Sequence, residues 1–181
     1  MNTVQPIRDK KKLEAMKQEL LRQGYRDYLL FVLGINTGFR VSDLLELKVK
    51  DVKDVTHITV QEKKTKKIKR AYINSYLREQ LDSYISTMND DEYLFQSRKG
   101  SNNPISRVQA YRILNKAAER VGLEEIGTHT LRKTFGYHHY QLHKDVAILQ
   151  ELFNHSAPSV TLRYIGVNQD NMDKTLHDFC L

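Results

Sequence analysis

Several absences narrow the field first. The chain has one cysteine, Cys180, so no internal disulfide is possible and nothing argues for an oxidising compartment. A membrane span needs ~18 consecutive apolar residues, and the longest apolar stretch, 28–35, falls far short. The stretch MNTVQPIRDKKKLEAMKQEL has no apolar core followed by a small-residue cleavage site, so it does not read as a secretory signal. These features set the expectation of a cytoplasmic protein. Internal repeats, low-complexity tracts and linkers are missing too. Acidic residues are scarce relative to basic ones, and there is no carboxylate cluster of the kind that holds metal ions for phosphoryl transfer.

What is present is ordinary in amount and informative in sign. At 181 residues the expectation is one domain with a substantial core. With 40% hydrophobic and 28% charged residues, the composition is that of a folded globular chain. Lys and Arg total 29 against 22 Asp and Glu, a net charge of +7. Such a balance favours a polyanionic partner, nucleic acid first and an acidic membrane surface second.

Apolar spacing predicts a mainly α protein with one antiparallel β-hairpin, an α+β fold. Residues 7–23 read as a charged helix carrying Leu13, Met16, Leu20 and Leu21, broken by Gly24. Residues 26–36 are apolar nearly all round and read as a buried helix ended at Thr37-Gly38. Residues 40–47 start another, with Leu44, Leu45 and Leu47 inward. Segments 56–62 and 67–73 are β-branched and partly alternating, and they flank Lys63-Lys64-Thr65-Lys66 as a hairpin with a basic tip. Asn74 and Ser106 read as N-caps, and Gly122 as a helix stop. Further helices are expected from 128 or 129 to 143, over 145–153 ending at Asn154, over 159–165 and over 168–179.

Three patches carry chemistry: Gly38-Phe39-Arg40-Val41-Ser42-Asp43, His129-Thr130-Leu131-Arg132, and Asn154-His155-Ser156 followed by Thr161 and Tyr164. Together they resemble the Arg, His-x-x-Arg, His and Tyr boxes of the tyrosine recombinase (phage integrase) family. The spacings are also similar: 23 residues from Arg132 to His155 and nine from His155 to Tyr164. Lys64, directly before Thr65, is similar to the family's catalytic lysine. Taken singly, each position has a plainer reading. Arg40 could be a helix-end surface residue, Lys64 part of a solvated turn, Tyr164 a packing residue and His155 a helix C-terminal residue. Their joint order from Arg40 to Tyr164 outweighs those readings.

The chemistry makes independent sense. Attack at a phosphodiester needs the phosphate charge held. Planar guanidinium groups do this with bidentate hydrogen bonds and stay charged. Arg40 and Arg132 are expected to clamp the non-bridging oxygens while Tyr164 attacks. Lys64 is expected to protonate the leaving hydroxyl, and His129 and His155 to handle protons. The resemblance implies a 3′-phosphotyrosyl intermediate on double-stranded DNA, a homo-oligomer on DNA, and no metal or other cofactor. Asp43 is expected to support Arg40, one turn away. Lys63, Lys66, Lys67, Lys69 and Arg70 are expected to meet DNA phosphates. His138, His139 and His143 admit a metal reading, but no further ligands follow in a recognised pattern.

The sequence departs from the family pattern at three places. Asn154 stands where Gly usually precedes the histidine, and Lys133 where many relatives have histidine. Only 39 residues precede Arg40, where relatives carry a separate core-binding domain. The expectation is therefore a single catalytic domain over 1–181. Three functions compete: a site-specific recombinase, a type IB topoisomerase-like enzyme, and a non-cutting DNA-binding accessory protein that retains the fold.

Overall fold

A computed structural model describes residues 4–63, 65–177 and 179–180. Lys64 lies outside the described residues. Helix α1 (Lys10–Gln23) starts at Asp9, whose carboxylate accepts from the Lys11 N–H at 2.7 Å. It begins later than expected because residues 4–8 form an extended strap. The Ile7 N–H donates to Thr134 Oγ1 at 2.9 Å, and Lys133 Nζ reaches the Val4 carbonyl at 2.7 Å. Met16 and Leu20 are buried, but Leu21 is exposed, because adjacent helical residues point about 100° apart.

Helix α2 (Tyr25–Thr37) is buried along most of its length, as its apolar composition demands. It packs against α1, against α4 (Ser75–Ile85) and against α6 (Thr130–His143). Gly38 ends it with φ +66°, and a side chain there would collide with the Phe135 ring. Helix α3 (Val41–Leu44) is shorter than the expected 40–47. The chain turns at Leu45 because Leu47 gives its carbonyl to the Leu94 N–H at 2.9 Å instead of to a helix.

Strands β1 (His57–Gln61) and β2 (Ile68–Tyr72) pair antiparallel, with Val60 opposite Lys69 and Thr59 opposite Arg70. Opposed residues share a face, so Ile58, Val60, Lys69 and Ala71 turn inward, while Arg70 and Tyr72 stand outside. Asn74 caps α4 through the Leu77 N–H. Ser106 caps α5 (Arg107–Arg120) through the Gln109 N–H. Helices α7 (Val146–Phe153), α8 (Pro158–Tyr164) and α9 (Val167–His177) complete the order. The mainly α fold with one hairpin stands as the sequence predicts.

Two apolar clusters hold these elements. The larger joins α1 to α5, the hairpin and Leu131. The smaller consists of Leu149, Phe153, Ile165 and Val167, with Phe135, Tyr140 and Tyr164 packed on it. Helix α6 runs between them. Its Gly136 permits the close approach of Phe153 and Ile165, which any side chain would obstruct. Among the described residues no helix is long and apolar enough to cross a membrane.

Candidate active site

The site forms where α6 meets both clusters. Arg132 lies in the first turn of α6 and is only 4% exposed. Its Nη1 donates to the Gly38 carbonyl at 2.7 Å, and its Nη2 to the Phe153 carbonyl at 3.0 Å. The guanidinium also lies 4.4 Å from the Phe153 ring centroid. One side chain thus binds the end of α2 to the end of α7. Burial draws its pKa below the usual arginine value, while Tyr164, Glu62 and Asp43 favour the charge. An arginine remains protonated through such a shift near neutral pH.

Arg40 stands at the N-cap of α3, because Gly38 turns the chain out of α2. Its side chain is 24% exposed and its Nη1 forms an ion pair with Glu62. Glu62 is almost wholly buried at the end of β1. Asp43, also buried, accepts from the Lys63 backbone N–H at 3.2 Å. Burial raises the Asp43 pKa, opposed by that hydrogen bond and by Arg40. So Asp43 favours Arg40 through space, whereas Glu62 is the carboxylate paired with it. Arg40, Asp43, Lys63, Arg107, His129 and Arg132 line one cleft of about 310 Å³.

His129 caps α6, and its Nδ1 is 3.4 Å from the Tyr164 hydroxyl. The residue is exposed overall, yet burial of the ring lowers its pKa below 6.5, assisted by Lys133, Arg132 and Arg40. His155 follows Asn154, which ends α7 in the left-handed region at φ +55°, as expected of Asn there. Its Nδ1 is 3.0 Å from the buried Thr161 hydroxyl. Burial lowers the His155 pKa too, and Arg132, Arg40 and Lys69 add to the effect.

Tyr164 is the last residue of α8. Its ring stands edge-on to Phe153 at 5.5 Å and to His155 at 5.1 Å between centroids. Burial raises the phenol pKa, with Arg132 and Arg40 opposing. Burial thus favours the protonated phenol and the neutral imidazole side by side.

Of the expected DNA-contacting residues, Lys63, Lys66, Lys67 and Arg70 are exposed. Lys63 pairs with Glu46 at 2.7 Å. Lys67 Nζ reaches Asn154 Oδ1 at 2.5 Å, and Lys69 Nζ reaches the Glu151 carbonyl at 2.8 Å. Lys69 faces inward and is half-buried, so burial lowers its pKa against the attraction of Glu62. The His139 and His143 rings lie 4.6 Å apart between centroids, tilted at 49°, while His138 Nε2 lies 2.9 Å from the Ile7 carbonyl. No group of three metal-ligating side chains converges among the described residues.

Sequence reasoning missed Glu62 and Arg107. A lone glutamate before a run of lysines carries no spacing signal. Arg107 had a faint one, since it follows the Ser106 cap and opens α5 beside the cleft.

Comparisons with known proteins place the chain in a family and match its fold. The description "Phage integrase family" matches residues 8–171. The chain is 53% identical over 170 residues to "Probable integrase/recombinase YoeC" of Bacillus subtilis (strain 168), covering 94% of this chain and 93% of that one. It is 33% identical over 152 residues to "Tyrosine recombinase XerA" of Thermococcus onnurineus, covering 82% of this chain and 54% of that one. So it spans nearly all of the first relative but about half of the second. Among solved structures, XerA recombinase superposes with a TM-score of 0.75 at 21% identity, over 98% of this chain and 67% of that one. XerH recombinase, "bound to palindromic difH substrate: post-cleavage complex", gives a TM-score of 0.72 at 20% identity, over 98% and 54%.

Proposed function

The chain belongs to the phage integrase family, and from that premise we propose that it is a site-specific DNA recombinase acting through Tyr164. The observation that carries this reading is the Tyr164 hydroxyl, 3.4 Å from His129 Nδ1 and within the field of Arg132 and Arg40. Arg40 and Arg132 hold the non-bridging oxygens of the scissile phosphate and stabilise the charge that grows on them. The phenol passes its proton to His129 as its oxygen attacks phosphorus. The new bond is Tyr164 Oη–P, and the bond broken is that from phosphorus to the 5′ oxygen. The leaving oxygen takes a proton from Lys64, assigned by resemblance. Rejoining is the same path reversed, with a 5′-hydroxyl as nucleophile, so the phosphotyrosyl link keeps the bond energy.

The same reading makes residues 1–181 a single catalytic domain that assembles as a homo-oligomer on double-stranded DNA of a mobile element in the cytoplasm. Support comes from the fold it shares with lambda integrase, solved as a dimer bound to a COC′ core site. The exposed hairpin residues Lys63, Lys66, Lys67 and Arg70 track DNA phosphates, whereas Lys69 faces inward.

The test is covalent trapping in the presence of a metal chelator. The protein is mixed with nicked duplexes randomised over the central segment, so that a released short strand cannot rejoin. A denaturation-resistant protein–DNA species is expected from the wild-type chain and none from Tyr164→Phe. Equal DNA binding without any adduct would favour the non-cutting accessory reading.

A further inference from the structure

Arg40 and Arg132 are held from behind by different means. Arg132 is fixed by two backbone carbonyls and an aromatic ring. For Arg40, the ion pair is with a single side chain, Glu62. That carboxylate is 1% exposed, and its other oxygen accepts from the Thr65 hydroxyl at 2.5 Å. Its backbone closes the hairpin tip as well: the Glu62 N–H donates to the Lys67 carbonyl at 2.9 Å, and the Lys66 N–H to the Glu62 carbonyl at 2.8 Å. Thr65 directly follows Lys64 in the chain.

We propose that Glu62 is a positioning residue that ties Arg40 to the hairpin tip, so that charge clamping and leaving-group protonation act on one phosphate. The inference rests on the recombinase reading and adds a residue to its machinery. A buried carboxylate is retained only with partners that repay its desolvation. Here Arg40 on one oxygen and Thr65 on the other provide them. Thr65, Arg40 and Arg132 hold the Glu62 pKa below the usual glutamate value against the opposing effect of burial. The carboxylate therefore stays ionised while the cleft is empty and orients Arg40 before phosphate arrives. A geometry set in advance matters because a misplacement of about 1 Å costs roughly 10²-fold in rate.

Two substrates separate the two arms. One is a normal phosphodiester. The other carries sulfur at the 5′ bridging position and releases a thiolate, which needs no proton because a thiol pKa is about 8.5. Glu62→Gln keeps the shape and removes the charge. It is expected to slow single-turnover cleavage of the oxygen substrate by roughly 10²-fold, with only part of the loss recovered on sulfur. Thr65→Val cuts the tip arm alone, so its smaller loss is expected to disappear on sulfur. It also serves as the second variant should Glu62→Gln fail to fold. Wild-type cleavage by Glu62→Gln overturns the inference. So does a Glu62→Gln or Thr65→Val defect that is equal on both substrates, since a merely structural role does not distinguish leaving groups. Absence of any wild-type adduct would instead defeat the recombinase reading itself.

Discussion

The two halves of the proposed site rest on two unequal apolar clusters. Arg40, which pairs with Glu62, lies between Phe39 and Val41 of the large cluster around α2, where Leu29 to Leu33 are fully buried. Tyr164 packs on the small one, whose buried members are Leu149, Phe153, Ile165 and Val167, and the His155 ring stands edge-on to Phe153. Burial of apolar area sets local stability, so the small cluster is expected to open at lower free energy than the large one. On the recombinase reading, the proposed phosphate clamp would then rest on the more stable part of the fold and the proposed nucleophile on the part expected to open first. Arg132 is where the two meet, with one hydrogen bond to each side.

The largest effect is expected from emptying the small cluster. Phe153→Ala removes the ring under Arg132, Tyr164 and His155 and should cost about 3–5 kcal/mol. Hydrogen exchange should show α7 and α8 losing protection while α2 keeps it. Uniform loss across α2 and α7 would mean that the two clusters are one cooperative unit.

Next comes the bridge. Arg132→Ala should lower cleavage by roughly 10²–10³-fold, because it removes a preorganised donor at the growing charge. Sulfur at the leaving position should not restore it. Arg132→Lys should recover little, since an ammonium cannot reach both the Gly38 and Phe153 carbonyls in the guanidinium's plane.

Smaller effects compare matched caps. Asn74→Ala and Asp145→Ala each delete an N-cap worth about 1 kcal/mol. The first, on α4 in the large cluster, should lower the global Tm by about 2–4 °C. The second, on α7, should speed amide exchange over 146–153 with less effect on Tm. Equal Tm shifts would erase the distinction between supports.

The smallest effect is on pH. His129 and His155 have folded pKa values below 6.5, so the unfolded chain takes up these protons first as pH falls. Their contribution to stability is complete above about 6.5 and is lost as pH drops through the lower folded values. A His155→Gln variant should show a shallower decline in Tm over that window, measured by thermal melts.

Much of this arrangement is legible in the sequence, for physical reasons. Helical spacing of apolar residues exposes α1, a run apolar nearly all round marks α2, caps mark Asn74 and Ser106, and β-branched alternation marks the hairpin. The six-residue order from Arg40 to Tyr164 is a strong signal because chemistry fixes residue type and fold fixes order. What the sequence hides is tertiary. Glu62 and Arg40 are 22 positions apart and meet only because β1 passes behind α3. Leu21 looks apolar enough for the core, yet its neighbour Leu20 takes the inward direction. The strap 4–8 has no periodicity, and its partners Thr134 and Lys133 lie on the opposite half of the chain.

On the proposed reading, Tyr164 Oη forms the covalent link to DNA. Trypsin cutting after Arg163 and Lys174 releases a peptide, 164–174, whose only tyrosine is Tyr164. Nuclease treatment of the trapped adduct followed by mass spectrometry should place the residual nucleotide on that peptide. A nucleotide on the peptide 134–144 instead, at Tyr137 or Tyr140, would contradict the assignment.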